Sequence, residues 1–501
     1  MHSFFLNLLR VALVLFALLV LLAIAVVGVT VYRGHEEWAT TKRELATKGE
    51  KIGADALVMP AVPDEQNFYA DPLWAEIAET ATVDGAGRVV YVPAVPLAEQ
   101  RLNVLGKALP APEVKRLREA YPLLMEVNFG QEPRSVLLKA WRRAGEHDEA
   151  WRNELAKATL ELLAAAAPVL ERVDELQKRP GTRFPANYEE GTLARMPQLG
   201  AVQKVAQAFI LRARAEIQIG QAEAALADIT RVDELGKRLQ VEPYVLAQLV
   251  MFAGYNLELE TVDAGLRQHA WTDAQLAALQ ARWREVDLLP LMVRAVRGER
   301  AGFNLFVDRL ERGEDVGGVL TEKDGRKSEG KTTVAQIYLY VCGGDDRSLR
   351  NREEQMIIDA VAKDGWRGVR GIPYNEVLEN PSILFRYTHM LTLLTFVPWE
   401  PYFLKAAFYQ DSFAQADMAC GLERYYLAHR EYPEKLEALV PEYLPAIPCD
   451  VLTGTPMHYE RTAADQFKLW AEGWNGKDDG GTVAAKMRLK EGDWVWGKCF
   501  F

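Results

Sequence analysis

The sequence predicts a mainly α-helical protein that has an N-terminal transmembrane helix, an irregular helical array built from αα-hairpins, and a small C-terminal α+β domain. Three observations lead to this fold class. Residues 11–31 are apolar and uncharged, which is typical of a membrane span. Between about residues 135 and 312, apolar residues recur at three- and four-residue steps, the spacing of one face of a helix. After residue 398, short alternating segments stand between prolines and glycines, as small strands and turns require.

The N-terminal apolar segment predicts a membrane anchor. As a helix, Val11–Val31 is about 31 Å long, which matches the hydrocarbon thickness of a bilayer. Ala23-Ile24-Ala25 has the small residues of a signal-peptidase site, so a cleaved signal peptide is the alternative. Because apolar residues continue to Val31, whereas a cleavage site normally lies in a more polar stretch, the sequence favours an uncleaved signal anchor.

The charges around the anchor leave its orientation open between two interpretations. Arg10 precedes the apolar segment, and Arg33 and Lys42 are among the basic residues that follow it. The positive-inside rule alone would place the large domain in the cytoplasm. A short basic segment before a first apolar helix is typical of export, and long domains translocate largely regardless of charge. We therefore expect a single-pass protein of a bacterial inner (cytoplasmic) membrane, with most of the chain extracytoplasmic or periplasmic.

Composition limits the partners and the covalent chemistry. The formal net charge of −11 argues against nucleic acid, because phosphate binding needs a basic face. The expected partners are the membrane, through a single span, and another protein. The four cysteines allow up to two disulfides or buried free thiols, and the sequence leaves their pairing open; they are Cys342, Cys420, Cys449 and Cys499.

Local signals predict the individual elements of the body. A stripe from Leu155 to Leu176 predicts a long helix, bent at Pro168. Two helices that meet at Gly220 predict an αα-hairpin similar to one tetratricopeptide-type unit, and Thr272 with Gln275 predicts a capping box that begins a further helix. The chain divides into these predicted segments: 1–10, a short cytoplasmic tail; 11–32, the transmembrane anchor; 33–134, a membrane-proximal helix and an extended or loop region; 135–312, the helical array; 313–333, a flexible linker; 334–397, a helical continuation; 398–501, the α+β domain.

The last segment carries spaced motifs in a definite order. After a predicted long helix up to His429 come a Tyr-Pro pair, apolar residues and a proline- and glycine-punctuated loop, and then two predicted strands, 457–461 and 466–471; the motif residues are Tyr432-Pro433, Leu436, Leu439-Val440, Pro448, Asp450, Gly454 and Pro456, with Gly473 through Gly481 beyond them. This order resembles the globular domain of the type II secretion major (G-type) pseudopilin. Unlike pseudopilins, the chain shows no Phe followed shortly by Glu at its apolar helix, which argues against a filament subunit.

The pseudopilin resemblance implies a calcium site in the acidic end of the chain. The matching positions are Asn475, Asp478, Asp479 and Asp493. Calcium takes six to eight oxygen ligands, and Asn475 in place of an aspartate removes one charge, which weakens binding. The alternative is a solvated acidic turn, since Asn-Gly and Asp-Gly are common turn sequences.

Other segments resemble an uncharacterised family of membrane-anchored helical bacterial proteins that often end in the same pseudopilin-like domain. The residues that carry this resemblance are Asn67-Phe68, Pro72, Arg179-Pro180, Arg183-Phe184-Pro185, Tyr188, Ala213–Gly220 and Glu242-Pro243. The family implies this architecture and no activity.

The sequence favours a non-enzymatic role and leaves catalysis open. It contains no Gly-x-Ser-x-Gly and no His-Glu-x-x-His. Asp345-Asp346, after two glycines, predicts a helix N-cap before Ser348. We expect a membrane-anchored extracytoplasmic scaffold or protein-interaction protein. The alternatives are a calcium-binding accessory of a secretion-like envelope machine and an extracytoplasmic hydrolase without a local motif.

Overall fold

The computed structural model describes residues 2–83, 89–93, 109–314, 329–372, 382–395, 397–483 and 489–498. The chain divides into two compact units that interleave along the sequence. Unit 1 comprises Met1–Val58, Asn187–Ala194 and Val296–Trp399. Unit 2 comprises Met59–Ala186, Arg195–Ala295 and Glu400–Phe501.

The described residues are mostly helical, which confirms the predicted fold class. The helices in chain order are α1 (His2–Thr47), α2 (Pro72–Ile77), α3 (Ala111–Ala120), α4 (Pro133–Arg143), α5 (Glu149–Ala164), α6 (Ala167–Gln177), α7 (Gln198–Gln218), α8 (Ala222–Leu239), α9 (Val245–Leu266), α10 (Asp273–Arg284), α11 (Leu289–Glu311), α12 (Glu329–Asp364), α13 (Trp366–Arg370), α14 (Ile383–Thr388), α15 (Met390–Leu394) and α16 (Trp399–His429). The strands are β1 (Glu79–Val83), β2 (Val89–Pro93), β3 (His458–Ala463), β4 (Gln466–Ala471) and β5 (Trp494–Val495).

In unit 1, α1 is one continuous helix whose two halves have different surroundings. Side chains from Val11 to Val29 are exposed, whereas Gly34, Thr41 and Leu45 are buried against the unit. Among the described residues, α1 is the helix long and apolar enough to cross a membrane. This property fits a membrane anchor and a signal sequence alike.

Helix α12 runs parallel to the second half of α1. Gly34 lies against Gly344, and Lys48 forms an ion pair with Asp359 at 2.5 Å. Residue numbers therefore increase in the same direction along the two helices. A Cβ atom on Gly344 would clash with the carbonyl oxygen of Gly34. The absence of side chains at this crossing therefore permits the close approach of the two backbones.

A polar network holds α12 inside unit 1. The fully buried Arg300 guanidinium donates to the Gln355 side chain at 2.7 Å and also to Glu50. Asn304 and Asn351 exchange amide hydrogen bonds of 3.0 Å. These hydrogen bonds offset part of the cost of burying the polar groups. An apolar cluster adjoins the network; its residues are Phe303, Phe306, Val307, Leu310, Leu339 and Leu391.

In unit 2, α7 is the central helix and contacts α4, α5, α8 and α9. Helices α7 and α8 form the predicted αα-hairpin, with Gly220 at φ +79° in the turn, a conformation that glycine adopts without steric cost. The predicted capping box also forms, because Thr272 accepts from the Gln275 amide and the Gln275 side chain accepts from the Thr272 amide. The stripe from Leu155 to Leu176 differs from its prediction. It belongs to two helices, α5 and α6, and Pro168 lies in the first turn of α6, where a missing N–H is tolerated.

Two distant segments that carry the helical-family resemblance meet in unit 2. The Asn67 side chain accepts from the Arg183 amide and donates to the Arg183 carbonyl, both at 3.0 Å. The Phe68 amide donates to the Gly181 carbonyl, and the Tyr69 and Phe184 rings lie 3.9 Å apart between centroids. These residues therefore stabilise a junction between an extended segment and the end of α6.

The C-terminal part of unit 2 joins α16 to an antiparallel sheet of order β3-β4-β5. The predicted strands 457–461 and 466–471 correspond to β3 and β4, paired with His458 opposite Trp470. The buried Asp450 carboxylate accepts from the amides of Leu452, Thr453 and Gly473. It thereby ties the loop before β3 to the end of β4.

Other predicted features have mixed outcomes. Within the segment predicted as a helix and an extended or loop region, β2 pairs antiparallel with β1. The prediction of an N-cap at Asp345-Asp346 is wrong, because both residues lie inside α12; Asp346 instead accepts from the amides of Leu391 and Thr392 at the start of α15.

Within the predicted linker 313–333, α12 begins at Glu329, and residues 315–328 lie outside the described residues. Cys342 and Cys420 are buried free thiols and Cys449 is an exposed one, whereas Cys499 lies outside the described residues.

Candidate anion-binding cavity

A basic cavity of about 460 Å³ lies within unit 2. Its walls come from the end of α4, the start of α5, the end of α7, the end of α9 and the turn after β5. The volume falls in the range of ligand-binding pockets. Five cationic side chains line it: Arg142, Arg152, Arg214, Arg267 and Lys498. Because the acidic side chains that line it are Glu260 and Asp263, positive charge is in excess.

Glu260 is bracketed by guanidinium groups on one side of the cavity. Arg214 is buried and donates to Glu260 Oε2 at 2.6 Å, and its Nε donates to Thr261 at 3.1 Å. Arg142 lies 3.5 Å from Glu260 Oε1, which also accepts from Asn256 at 2.8 Å. One carboxylate thus lies beside two arginines, so its negative charge is more than balanced on this side of the cavity.

Asp263 and Arg267 form a second pair at the other end of the same helical turn. Arg267 Nε donates to Asp263 Oδ2 at 2.8 Å, and its Nη2 donates to the Gly497 carbonyl at 3.3 Å. Burial raises the pKa of the Asp263 carboxyl above its ordinary value, and the adjacent Arg267 and the charge of Lys498 act in the opposite direction. The pair connects α9 to the turn after β5.

The remaining cations complete a surface suited to carboxylate or phosphate groups. Arg152 donates to the His147 carbonyl at 2.6 Å, which fixes one side of its guanidinium, and Lys498 is exposed at the cavity wall. Trp141 contributes an aromatic face, and its indole N–H donates to the Thr159 hydroxyl at 3.1 Å. Guanidinium groups bind carboxylates and phosphates through paired N–H donors. The arrangement can therefore bind an anion.

The predicted calcium residues lie elsewhere in unit 2, between β4 and β5, and none of them lines the cavity. Asp493 is buried and accepts from the amides of Asp479 and Gly481, with a 2.6 Å bond from the latter. Asp478 accepts from the Trp470 indole at 3.0 Å and the Gly480 amide at 2.9 Å, and these donors lower the pKa of its carboxyl. Asn475 donates to Asp479 at 2.8 Å.

These carboxylates point at N–H donors and do not converge on a common point. Across the described part of the chain, no cluster of three or more His, Cys, Asp or Glu side chains is arranged to hold a metal ion. The geometry does not fit a calcium ion as the resemblance implies it, because the oxygen lone pairs of Asp493 already accept backbone N–H groups. The calcium assignment stays a prediction.

Comparison of the chain with protein-family models, with curated proteins and with solved structures gives no match. The two resemblances drawn from the sequence therefore stay predictions, and the cavity has to be interpreted from its own chemistry.

The sequence does not predict the cavity, because the residues that line it come from five separate segments. Arg214 and Glu260, for example, are joined by no local spacing and meet only when α7 packs against α9. One local signal existed, since Glu260 and Asp263 are three residues apart and hence share a face of α9. That pattern is common on solvated helices, so it does not indicate a site by itself.

Proposed function

We propose that the chain is a non-enzymatic scaffold protein, anchored in a bacterial inner membrane by α1, whose extracytoplasmic body binds an acidic segment of a partner protein in the basic cavity. The observation that carries the proposal is the set of five cationic side chains around one 460 Å³ cavity. The chain as a whole carries a net charge of −11. The excess of positive charge in this cavity therefore favours binding of an acidic ligand there over the rest of the chain.

Anchoring is supported by the exposure of the apolar half of α1. Side chains from Val11 to Val29 are exposed in the folded chain, and no charged residue interrupts them. Exposure of so long an apolar surface to water would be strongly unfavourable, and a bilayer removes that cost.

A protein ligand is supported by the composition of the cavity walls. Four arginines with a nearby indole resemble the surfaces that bind acidic side chains, in which Arg and Trp contribute most of the binding energy. The arginine pairs with Glu260 and Asp263 hold the guanidinium groups in place before a ligand arrives, which lowers the entropic cost of binding.

The test measures binding of a fluorescein-labelled hexaglutamate peptide to the full-length chain in detergent, by fluorescence anisotropy at low and at high salt. We expect saturable binding that weakens with salt. The double variant Arg142→Gln/Lys498→Gln removes two cavity charges, and Glu260 retains Arg214 at 2.6 Å, so no buried carboxylate loses all its partners. We expect this variant to bind at least about tenfold more weakly, since a charge-assisted hydrogen bond contributes about 1.5–3 kcal/mol.

The matched control is Lys115→Gln/Arg118→Gln, which removes the same charge from the exposed face of α3. We expect it to bind as the wild-type chain does. Equal weakening in the two double variants, or no saturable binding by the wild-type chain, contradicts the proposal.

A hydrolase is the second candidate, favoured by the presence of Glu260 and Asp263 in the same cavity. Side chains three residues apart on a helix have Cβ atoms about 5–6 Å apart, close to the separations of glycosidase carboxyl pairs. The arginine partners of both carboxylates favour the binding role instead. A panel of nitrophenyl glycosides distinguishes the two: we expect no turnover, and turnover that is lost in Asp263→Asn would establish the hydrolase.

A further inference from the structure

Unit 1 has an exposed apolar surface beside the end of the α1 span. It is formed by the first turns of α12 and by α14, and we call it the juxtamembrane surface; its residues are Val334, Ile337, Tyr340, Ile383, Leu384 and Tyr387. Each of these side chains is more than half exposed, from 59% at Ile337 to 77% at Ile383. Clusters of large exposed apolar side chains are rare on water-soluble surfaces and mark contact sites.

The α12 part of this surface lies level with the end of the apolar segment of α1. The Tyr340 ring lies 6.3 Å from the His35 ring, and Gly344 lies against Gly34. Because the two helices are parallel, residues before Tyr340 lie level with α1 residues before His35. Val334 is six residues before Tyr340, about 9 Å along the axis, which places it beside the last turns of the uncharged segment.

The α14 part is held at the same level by hydrogen bonds to α12. The Tyr338 hydroxyl donates to the Asp346 carboxylate at 2.5 Å, accepts from the Met390 amide at 2.8 Å and lies 3.2 Å from the Thr388 carbonyl oxygen. The buried Asp346 carboxylate accepts from the amides of Leu391 and Thr392 at 2.9 and 3.0 Å. These contacts fix α14 and α15 beside the turn of α12 that faces His35.

The chemistry of the surface matches the boundary between lipid headgroups and acyl chains. Four aliphatic side chains accompany Tyr340 and Tyr387, and the exposed Tyr32 follows the span on α1. Tyrosine is enriched at this boundary because its ring is apolar and its hydroxyl is polar. The Tyr340 ring lies beside His35, a few residues after the exposed face of α1 ends, so one bilayer can cover both.

We propose that the first turns of α12 and helix α14 insert into the interface of the bilayer that α1 spans, giving unit 1 a second, non-spanning membrane contact. This inference rests on the proposed anchoring by α1. The contact fixes the tilt of unit 1 against the membrane, because a single spanning helix fixes neither its own tilt nor its rotation about its axis.

The test places the photo-crosslinking residue p-benzoylphenylalanine at single positions of the full-length chain in phosphatidylcholine–phosphatidylglycerol vesicles. Tyr387 is the test position and Phe16, exposed in the span, is the positive control; both exchanges replace one aromatic side chain by another. Lys363, whose side chain is 80% exposed at the far end of α12, is the negative control. Lipid adducts are counted by mass spectrometry after irradiation.

We expect lipid adducts at Tyr387 in a yield comparable to that at Phe16 and at least about fivefold above that at Lys363, as interfacial insertion of an apolar face requires. Adducts at Phe16 without adducts at Tyr387 overturn the juxtamembrane contact and leave the anchor intact. Protein crosslinks at Tyr387 in place of lipid adducts overturn it in favour of a second copy of the chain. Absence of lipid adducts at both positions contradicts the anchoring itself. Leu384, tested in the same way, guards against misfolding at one site.

Discussion

The buried polar residues of α12 show what the sequence could not predict at the level of single residues. The stretch Asp346–Gln355 has the composition of a solvated helix face, yet Arg350 and Glu354 are almost fully buried and lie 2.7 Å apart. The partners of this stretch, such as Arg300 and Asn304, are some fifty residues away in the chain. A local sequence pattern shows that a residue is polar. It does not show whether a residue far away in the chain will form the hydrogen bond that allows this polar side chain to be buried.

Glu216 is expected to make stability depend on pH. Burial, followed by the charge of Asp228, raises the pKa of the Glu216 carboxyl to about 7. A carboxyl whose pKa is higher in the folded than in the unfolded chain stabilises the fold below about pH 4.5, and that contribution is lost as the pH rises through about 7. Glu216→Gln keeps the shape and removes the charge, so its melting temperature should equal that of the wild-type chain at pH 4 and exceed it at pH 8.

The corresponding free-energy difference at pH 8 is at most about 3 kcal/mol. Glu171→Gln, on the exposed face of α6, is the control and should show no such pH-dependent difference. A Glu216→Gln melting temperature that stays below the wild-type value at pH 8 would show that the charged form is favoured in the fold.

Asp450 is expected to be a stability residue of the C-terminal part of unit 2. In Asp450→Ala, the amides of Leu452, Thr453 and Gly473 lose their acceptor, which should cost about 3 kcal/mol or more. Limited proteolysis should then cut the loop before β3 faster. Asp465→Ala, in the exposed turn between β3 and β4, is the control. Equal cleavage rates in the two variants would contradict the assigned role.

At the scale of elements, the helices with local boundary signals were predictable. Gly220 and the Thr272–Gln275 capping box each mark a boundary by their own conformational preference. The sequence predicted one bent helix where the structure has two, α5 and α6. The apolar stripe continues across Pro168, whereas the backbone hydrogen bonds do not. The continuous length of α12 was not predicted either. Gly343 and Gly344 resemble a loop sequence, but they lie inside this helix.

The pairing of α1 with α12 should depend on Gly344. Gly344→Val places a side chain against the backbone of Gly34, and overpacking of this kind costs about 1–3 kcal/mol. Gly343→Val has the same helix-propensity change, and its Cβ would meet only the Leu339 side chain at ordinary distances of 3.7 and 3.8 Å. We expect the thermal transition of the full chain in detergent to fall clearly further for Gly344→Val. A fall of equal size in both variants would leave helix propensity as the only effect.

At the scale of the whole molecule, the apolar segment and the helical class were predictable from composition and periodicity. The basic cavity was not, because five segments supply it and its charge is hidden within an acidic chain. The interleaving of the two units was missed for the same reason: sequence segments that follow one another need not pack together.

The exposed thiol of Cys449 tests the proposed orientation. Cys342 and Cys420 are buried, so in a Cys499→Ser background Cys449 is the accessible cysteine. We expect a membrane-impermeant maleimide to label this chain in intact spheroplasts of an expressing bacterium, and Cys449→Ser to abolish the label. Labelling only after lysis would place the body in the cytoplasm.

The most direct test of the anchor is extraction of isolated membranes with alkaline carbonate, followed by mass spectrometry of the N-terminal peptides. We expect the chain to stay in the membrane pellet with Val11–Val31 present and to be released by detergent, because an apolar helix about 31 Å long spans the hydrocarbon layer. Release of the chain by carbonate, or a mature chain that begins after Ala25, would contradict the anchor and with it the account of unit 1.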